Sequence, residues 1–401
     1  MAKQFTGRFL KNGYSQSDIY DALIYLRKQT EMNIYVYTFK NKTWTMIPFS
    51  PQKDCSTNYP QSRLLLSWLN ENATKKIKEG FTFCSVPQEP IHDNSWLGEE
   101  RQIKIRHLFD TCPVLATCTH PEILWTENAV LIPDYFILNE NYYSNCNEII
   151  KENNTSFVNR KPVIFFRGAI TGAYSQIQYD MESIKKDDRL VLFGMSKEKE
   201  FIDAKITADY WLDNEGKATV DFLNWYKHNL TSRKSAPVDF IAHAQNKYLI
   251  SIDGFGAAWS RVPYILFTGS VLLLRADCKQ YFYKLLTPKK THVEINRYLT
   301  NIEEVYTYLE QNPKVAESIA NNGKAFAEKY LIKDAIDTYL THVIYDLNEA
   351  YYEPTGWMNK TILAFKKIRF QIAEIKYASK RYFRKHLKPY FMRLKSITHN
   401  I

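Results

Sequence analysis

The segment KYLISIDGFGAAWSRVPYILFTGSVLLLRA, residues 247 to 276, constrains this chain more than any other. It reads as strand, Gly-rich turn, helix and strand. Upstream, the same alternation predicts a strand at KPVIFFRG, a helix near Ser175 to Lys186, a strand at RLVLFG and a helix near Thr219 to His228. Strands alternating with helices predict a parallel α/β sheet. Helical segments from Ile302 to Ala350 close this half, and no internal repeat is visible.

The first 150 residues alternate less regularly. Ile19, Leu23 and Leu26 recur at i, i+4 and i+7, the spacing of one helical face. NIYVYTF and TWTMIPF flank the turn-like KNK and predict a hairpin. A helix from Gln61 to Lys78 then precedes short strands at FTFCSV, PVLATC and AVLIPDY. The Asn-rich stretch from Asn139 to Arg160 reads as a linker or exposed edge. A division follows: residues 1–155 as a first α/β domain, 156–350 as a second α/β domain, and 351–401 as a basic tail.

The formal charge of +10 invites a nucleic-acid reading, but the excess sits at one end. Residues 359–401 carry twelve Lys or Arg against the single acid Glu374, so the body is near neutral. No nucleic-acid-binding module accompanies the basic segment, and no nucleic-acid partner is expected. In the tail, Ile368, Ile372, Ile375 and Tyr382, then Leu387, Phe391 and Leu394, fall at helical spacings among Lys and Arg. This is a basic amphipathic helix, suited to an anionic membrane surface or simply to packing on the body. Each Lys or Arg near anionic lipid contributes about 1 kcal/mol. No apolar run resembles a signal-peptide core or a spanning helix. The expectation is cytoplasmic residence with peripheral attachment to the inner membrane. The six cysteines lack CxxC spacing and read as free thiols.

Two strand ends carry the chemistry. After KYLISID, the small residues Gly254, Gly256, Ala257 and Ala258 give backbone N–H groups room to approach an anion, and the next helix adds its positive N-terminal end. Trp259 and Ser260 complete that turn. Arg261 falls in the first helical turn, where its guanidinium can reach a diphosphate. Asp253 either touches the sugar or caps the turn. After VIFF, Arg167, Gly168, Thr171 and Gly172 place a cation and a hydroxyl-bearing loop at a second strand's end, the edge where ligands gather in open α/β sheets. Each feature alone is also compatible with a purely structural turn.

Together these residues resemble glycosyltransferase family 90, which includes protein O-glucosyltransferases, capsule-associated xylosyltransferases and lipopolysaccharide core transferases. The resemblance rests on Arg167 and Gly168, Lys247 to Leu249, Gly254, Ala257 to Arg261, Tyr281 to Tyr283, Leu286 to Pro288 and His292, in that order. It runs from Val163 to Ile295, and more loosely through PVLATCTHPEILWTENAVLIPD. It implies an α/β fold in a GT-B-like arrangement of two Rossmann-like domains, here followed by the basic C-terminal amphipathic helix. It also implies a UDP-sugar donor, inversion at the anomeric carbon and no metal; the chain contains no Asp-x-Asp pair. By the same match His243 enters the donor pocket, and Arg261 and Arg167 stabilise the leaving UDP.

Inversion requires a carboxylate to take the acceptor's proton. The family places an Asp after a first-domain strand, but here FTFCSV runs into PQEPIHDNSW. Asp93 is the expected base, with Glu89 and Asp110 behind it. The family's second Arg after the FRG loop is also missing from AYSQIQYD. The expectation is a bacterial transferase acting on a lipid-linked or oligosaccharide acceptor of the lipopolysaccharide core type. A catalytically inactive, glycan-binding or scaffolding relative is the alternative.

Overall fold

A computed structural model of the chain describes residues 1–26, 34–49, 59–86, 99–121, 128–171, 179–209, 212, 218–254, 256–353 and 361–368. Two five-stranded sheets organise it. In the first, β1 (Tyr35–Lys40) and β2 (Thr43–Pro48) form the expected hairpin, with Lys40 opposite Thr43. The two-residue loop places Asn41 at φ 53 and Lys42 at φ 63. Positive φ at both positions gives the turn whose twist matches its strands. β3 (Thr82–Val86) pairs antiparallel with β1 and parallel with β4 (Val114–Ala116), which pairs parallel with β5 (Val130–Leu131). The order is β2-β1-β3-β4-β5. The expectation of two Rossmann-like sheets is therefore corrected for this half, where only β3, β4 and β5 run parallel and a hairpin completes the sheet.

The second sheet contains β6 (Lys161–Ala169), β7 (Ile202–Ala208), β8 (Asn246–Ile252), β9 (Val271–Arg275) and β10 (Val293–Glu294), in the order β10-β9-β8-β6-β7. Every pairing is parallel. β9 is buried along its whole length and β8 nearly so, as strands covered on both faces must be. The chain steps from β6 to β7 on one side and then returns to β8 on the other. That reversal opens a crevice at the carboxyl ends of β6 and β8, the place where open α/β sheets receive ligands.

Two expectations fail here. RLVLFG lies in a helix, Asp188–Glu198, while the strand is Ile202–Ala208. Asp187 caps that helix by accepting from the N–H groups of Arg189 and Leu190, and residues 189, 190, 193 and 196 are buried at helical spacing. The Asn-rich stretch is likewise largely a helix, Glu140–Glu152, capped by Asn139 and burying Tyr142, Cys146 and Ile149 at i, i+4 and i+7.

The halves are joined in several places. Helix Lys333–Ala350 returns to pack on helix Ala2–Asn12, where Thr6 Oγ1 donates to Asp346 at 2.7 Å. Its Tyr339 hydroxyl donates to the carbonyl of Leu131 at 2.5 Å, and its Asp337 accepts from Trp68 Nε1 at 2.8 Å. Between the sheets, Thr119 and Lys279 exchange two backbone hydrogen bonds of 2.9 and 2.8 Å. Most of the basic tail lies outside the described residues. Its described helix, 361–368, buries Leu363, bonds Lys366 to Ser17 and Asp21, and leaves Ile362, Phe365 and Ile368 exposed. No described helix is long and apolar enough to cross a membrane.

Candidate functional site

A cleft of about 430 Å³ lies at the crevice between β6 and β8. Asp253, at the end of β8, lies behind the small-residue turn that lines it. One carboxylate oxygen accepts the Ala258 N–H at 3.2 Å, and the other accepts those of Asp277 and Cys278 at 2.8 Å each. Asp253 thus ties the small-residue turn to the segment following β9, and burial pushes its pKa up to about 7. Of the two roles open to it, the geometry assigns turn-capping; it is not part of the cleft wall. Ser260, before the helix, is outside the wall as well.

Gly254 shows why the turn must be small. A Cβ there would lie 2.9 Å from both the carbonyl oxygen and Oγ1 of Thr171, and 3.0 Å from Arg189 Nη2. The loops after β6 and β8 meet at this glycine. A Cβ on Gly168 would be 2.6 Å from the Phe166 ring and 3.3 Å from Arg261 Nη2. Both glycines, with Thr171, Gly256, Ala257, Ala258 and Trp259, line the cleft.

Three arginines surround it. Arg261 begins helix Arg261–Thr268, donates to the carbonyl of Arg167 at 2.9 Å and lies 4.7 Å over the Phe166 ring. Burial, reinforced by Arg189, pulls its pKa down to about 9. Among the described residues it has no carboxylate partner, so an arriving anion would relieve the repulsion that lowers it. Arg167 differs: its guanidinium is paired with Asp203 on β7 at 2.9 Å and stacks 4.0 Å over Phe165. It reaches the cleft with its charge already matched.

The sequence reading missed the third, Arg189. From the first turn of helix Asp188–Glu198 it donates to the carbonyls of Ala169, Ile252 and Asp253 at 2.8–3.1 Å and to Thr171 Oγ1 at 2.6 Å. One buried guanidinium therefore clamps the ends of β6 and β8 while facing the cleft. The signal was the Asp-Asp-Arg start of a capped helix, hidden by the strand-like run after it.

His243, in the short helix Phe240–His243, stands edge-on to Phe165 at 4.9 Å. Its Nδ1 is buried with no partner among the described residues. Burial, then Arg261 and Arg167, lowers its pKa to about 3, so the imidazole in the cleft is neutral at physiological pH. Phe240, Pro237, Val238 and Thr207 complete the wall, and none of these was anticipated from sequence. His292 is buried elsewhere, its Nδ1 3.2 Å from Thr291 Oγ1, with its pKa lowered to about 4 by burial and Lys279.

Of the carboxylates considered for proton removal, Asp93 and Glu89 fall outside the described residues, as does Gly172. Asp110 ends helix Glu99–Thr111, paired with Arg8 at 3.8 Å and Arg106 at 3.7 Å, and is not part of the cleft wall. None of the described lining residues is acidic. A positive cleft of this size, at a sheet's switch point and beside a helix N-terminus, can hold an anionic nucleotide.

Human protein O-glucosyltransferase 3 is 27% identical over 197 residues, 47% of this chain and 32% of that protein. Human protein O-glucosyltransferase 1 is 26% identical over 119 residues, 29% of this chain and 30% of that protein. The chain thus spans about a third of the length of the curated relatives it matches. Among solved structures, Anabaena HepE in complex with UDP-glucose aligns with a TM-score of 0.38 at 10% identity, covering 69% of this chain and 74% of that one. Sucrose-phosphate synthase from Thermosynechococcus elongatus aligns with a TM-score of 0.38 at 10% identity, over 64% and 65%. The glycosyl transferase family 90 model matches residues 124–354, a span that takes in every described wall of the cleft and more than half of the sequence, so the chain belongs to glycosyltransferase family 90.

Proposed function

We propose that this chain is an inverting, metal-independent glycosyltransferase that moves a hexose or pentose from a UDP-sugar to a hydroxyl of the lipopolysaccharide core or a related cell-surface glycan. The observation that carries the reading is the Arg261 guanidinium, without a described carboxylate partner, beside a helix N-terminus in the crevice between β6 and β8. Its relatives' names, protein O-glucosyltransferases, support sugar transfer to oxygen. The two sheets would serve as the lobes of a GT-B arrangement, with residues 1–155 on the acceptor side and 156–350 on the donor side.

In this mechanism UDP lies against the small-residue turn. As the acceptor oxygen attacks the anomeric carbon from the far face, the bond to the diphosphate breaks and negative charge grows on the leaving oxygen. Arg261 and the helix N-terminus would stabilise it without a metal. Neutral His243 can hydrogen-bond the donor without adding repulsion between cations. The acceptor proton goes to a carboxylate, for which Asp93 is the candidate. The exposed Ile362, Phe365 and Ile368, with the basic residues around them, suit docking on an anionic inner-membrane surface near a lipid-linked acceptor.

Calorimetry with UDP and turnover assays over a panel of UDP-sugars test this. Wild type should bind UDP and Arg261→Ala should lose affinity by about 10- to 100-fold, the value of a charge-assisted contact. Equal affinity removes the donor assignment. Asp93→Asn should retain UDP and lose transfer, whereas normal turnover moves the base elsewhere. UDP binding by wild type with no turnover of any donor, in the presence of cell-envelope glycan acceptors, supports an inactive glycan-binding relative instead.

A further inference from the structure

The loop after β5 carries an arrangement that the donor site does not use. Asp134 is buried, and one of its carboxylate oxygens accepts the N–H groups of Phe136 at 2.8 Å and Ile137 at 3.2 Å. Its carbonyl accepts those of Ile137 and Leu138 at 3.1 and 3.0 Å. The resulting tight turn leaves Tyr135 half-buried and Phe136 41% exposed, their ring centroids 4.1 Å apart at an interplanar angle of 31°. Tyr135 in turn lies 6.4 Å from Trp259, which lines the cleft. Three rings therefore run from the carboxyl end of the first sheet to the wall of the donor site.

The backbone of Trp259 indicates that its placement is constrained. Its φ of +46° lies in the left-handed region, which a bulky side chain rarely adopts. Gln280 Nε2 holds it there, donating to the Trp259 carbonyl at 3.0 Å. Strain of this kind persists where surrounding structure fixes it, and it gathers at ligand sites.

We propose that Tyr135, Phe136 and Trp259 form the acceptor subsite, a platform for the apolar face of a pyranose, so that the acceptor is a glycan rather than a polypeptide side chain. The proposal rests on the donor reading, since it takes its direction from the neighbouring cleft. A pyranose ring presents C–H groups on a face and hydroxyls around its rim. Flat aromatic rings gain dispersion contact and apolar burial against that face while the rim stays in water. Half-exposed rings in series match successive sugars along a chain. A peptide held for transfer would instead need its backbone N–H and C=O groups paired.

The test uses the full chain, with and without saturating UDP, and saturation-transfer NMR against lactose, maltose, cellobiose, gentiobiose and a serine-containing peptide. At least one saccharide should receive saturation at its ring C–H protons. Phe136→Ala and Tyr135→Ala should each weaken that saccharide's affinity at least 10-fold, Phe136→Tyr should retain it, and UDP affinity should stay unchanged in all three. A wild type that ignores every saccharide, sugar binding indifferent to both alanine variants, or selective binding of the peptide through these rings overturns the proposal. Failure of wild type to bind UDP would count against the donor reading alone, because the titration without UDP still decides the sugar platform.

Discussion

Gly254 is a point of close approach between the two loops that build the cleft. Thr171, in the loop after β6, and the Arg189 guanidinium both come within 3.0 Å of where a side chain would begin. Gly254→Ala must push Thr171 away or displace the turn, and overpacking of this order costs about 1–3 kcal/mol. UDP affinity should fall about 10-fold, read by calorimetry, with a lower denaturant midpoint; wild-type values for both would show that the loops separate freely. The glycine was legible in the sequence as part of a small-residue run at the end of an apolar strand, though that run alone fits a structural turn as well as a ligand site. Arg261 was legible by its place in the first helical turn. The matching of Arg167 by Asp203 was not, since the partner sits on a neighbouring strand 36 residues away and no local spacing marks it.

At the scale of elements, helix Asp188–Glu198 corrects the strand expected at RLVLFG. Leu-Val-Leu-Phe satisfies a buried strand and a buried helix face equally, and the Asp187 cap decides between them only when weighed against that run. The consequence reaches the cleft, because only a helix start brings Arg189 to the ends of β6 and β8. Arg189→Lys keeps the charge but cannot span four acceptors with one ammonium group. It should lower stability by about 2–4 kcal/mol, as several buried acceptors lose their donors, and weaken UDP binding as the crevice loosens. A chemical-denaturation midpoint equal to wild type would show that the clamp is dispensable. The hairpin of β1 and β2, by contrast, was readable from its two apolar runs and short polar turn. The sequence between β3 and helix Glu99–Thr111 offered no periodicity, which is why Asp93 was named as the base with Glu89 and Asp110 still behind it.

For the whole molecule, the parallel second sheet followed from its strand–helix alternation, whereas the mixed first sheet did not, because pairing direction across a long connection leaves no mark in local sequence. The charge map was more direct. With the excess confined to residues 359–401 and Ile362, Phe365 and Ile368 exposed, deleting 359–401 should abolish co-sedimentation with phosphatidylserine vesicles and leave UDP affinity intact. Retained vesicle binding would place the membrane contact on the body.

The paired backbone bonds between Thr119 and Lys279 bear on how this cleft can work. Sliding the segment after β4 past the segment after β9 would break both bonds at once. The Tyr339–Leu131, Trp68–Asp337 and Thr6–Asp346 bonds tie the same halves elsewhere, so the two are pinned at several points rather than hinged at one. Lengthening the segment around Lys279 would loosen one tie among several, and should lower the denaturant midpoint before it parted the halves.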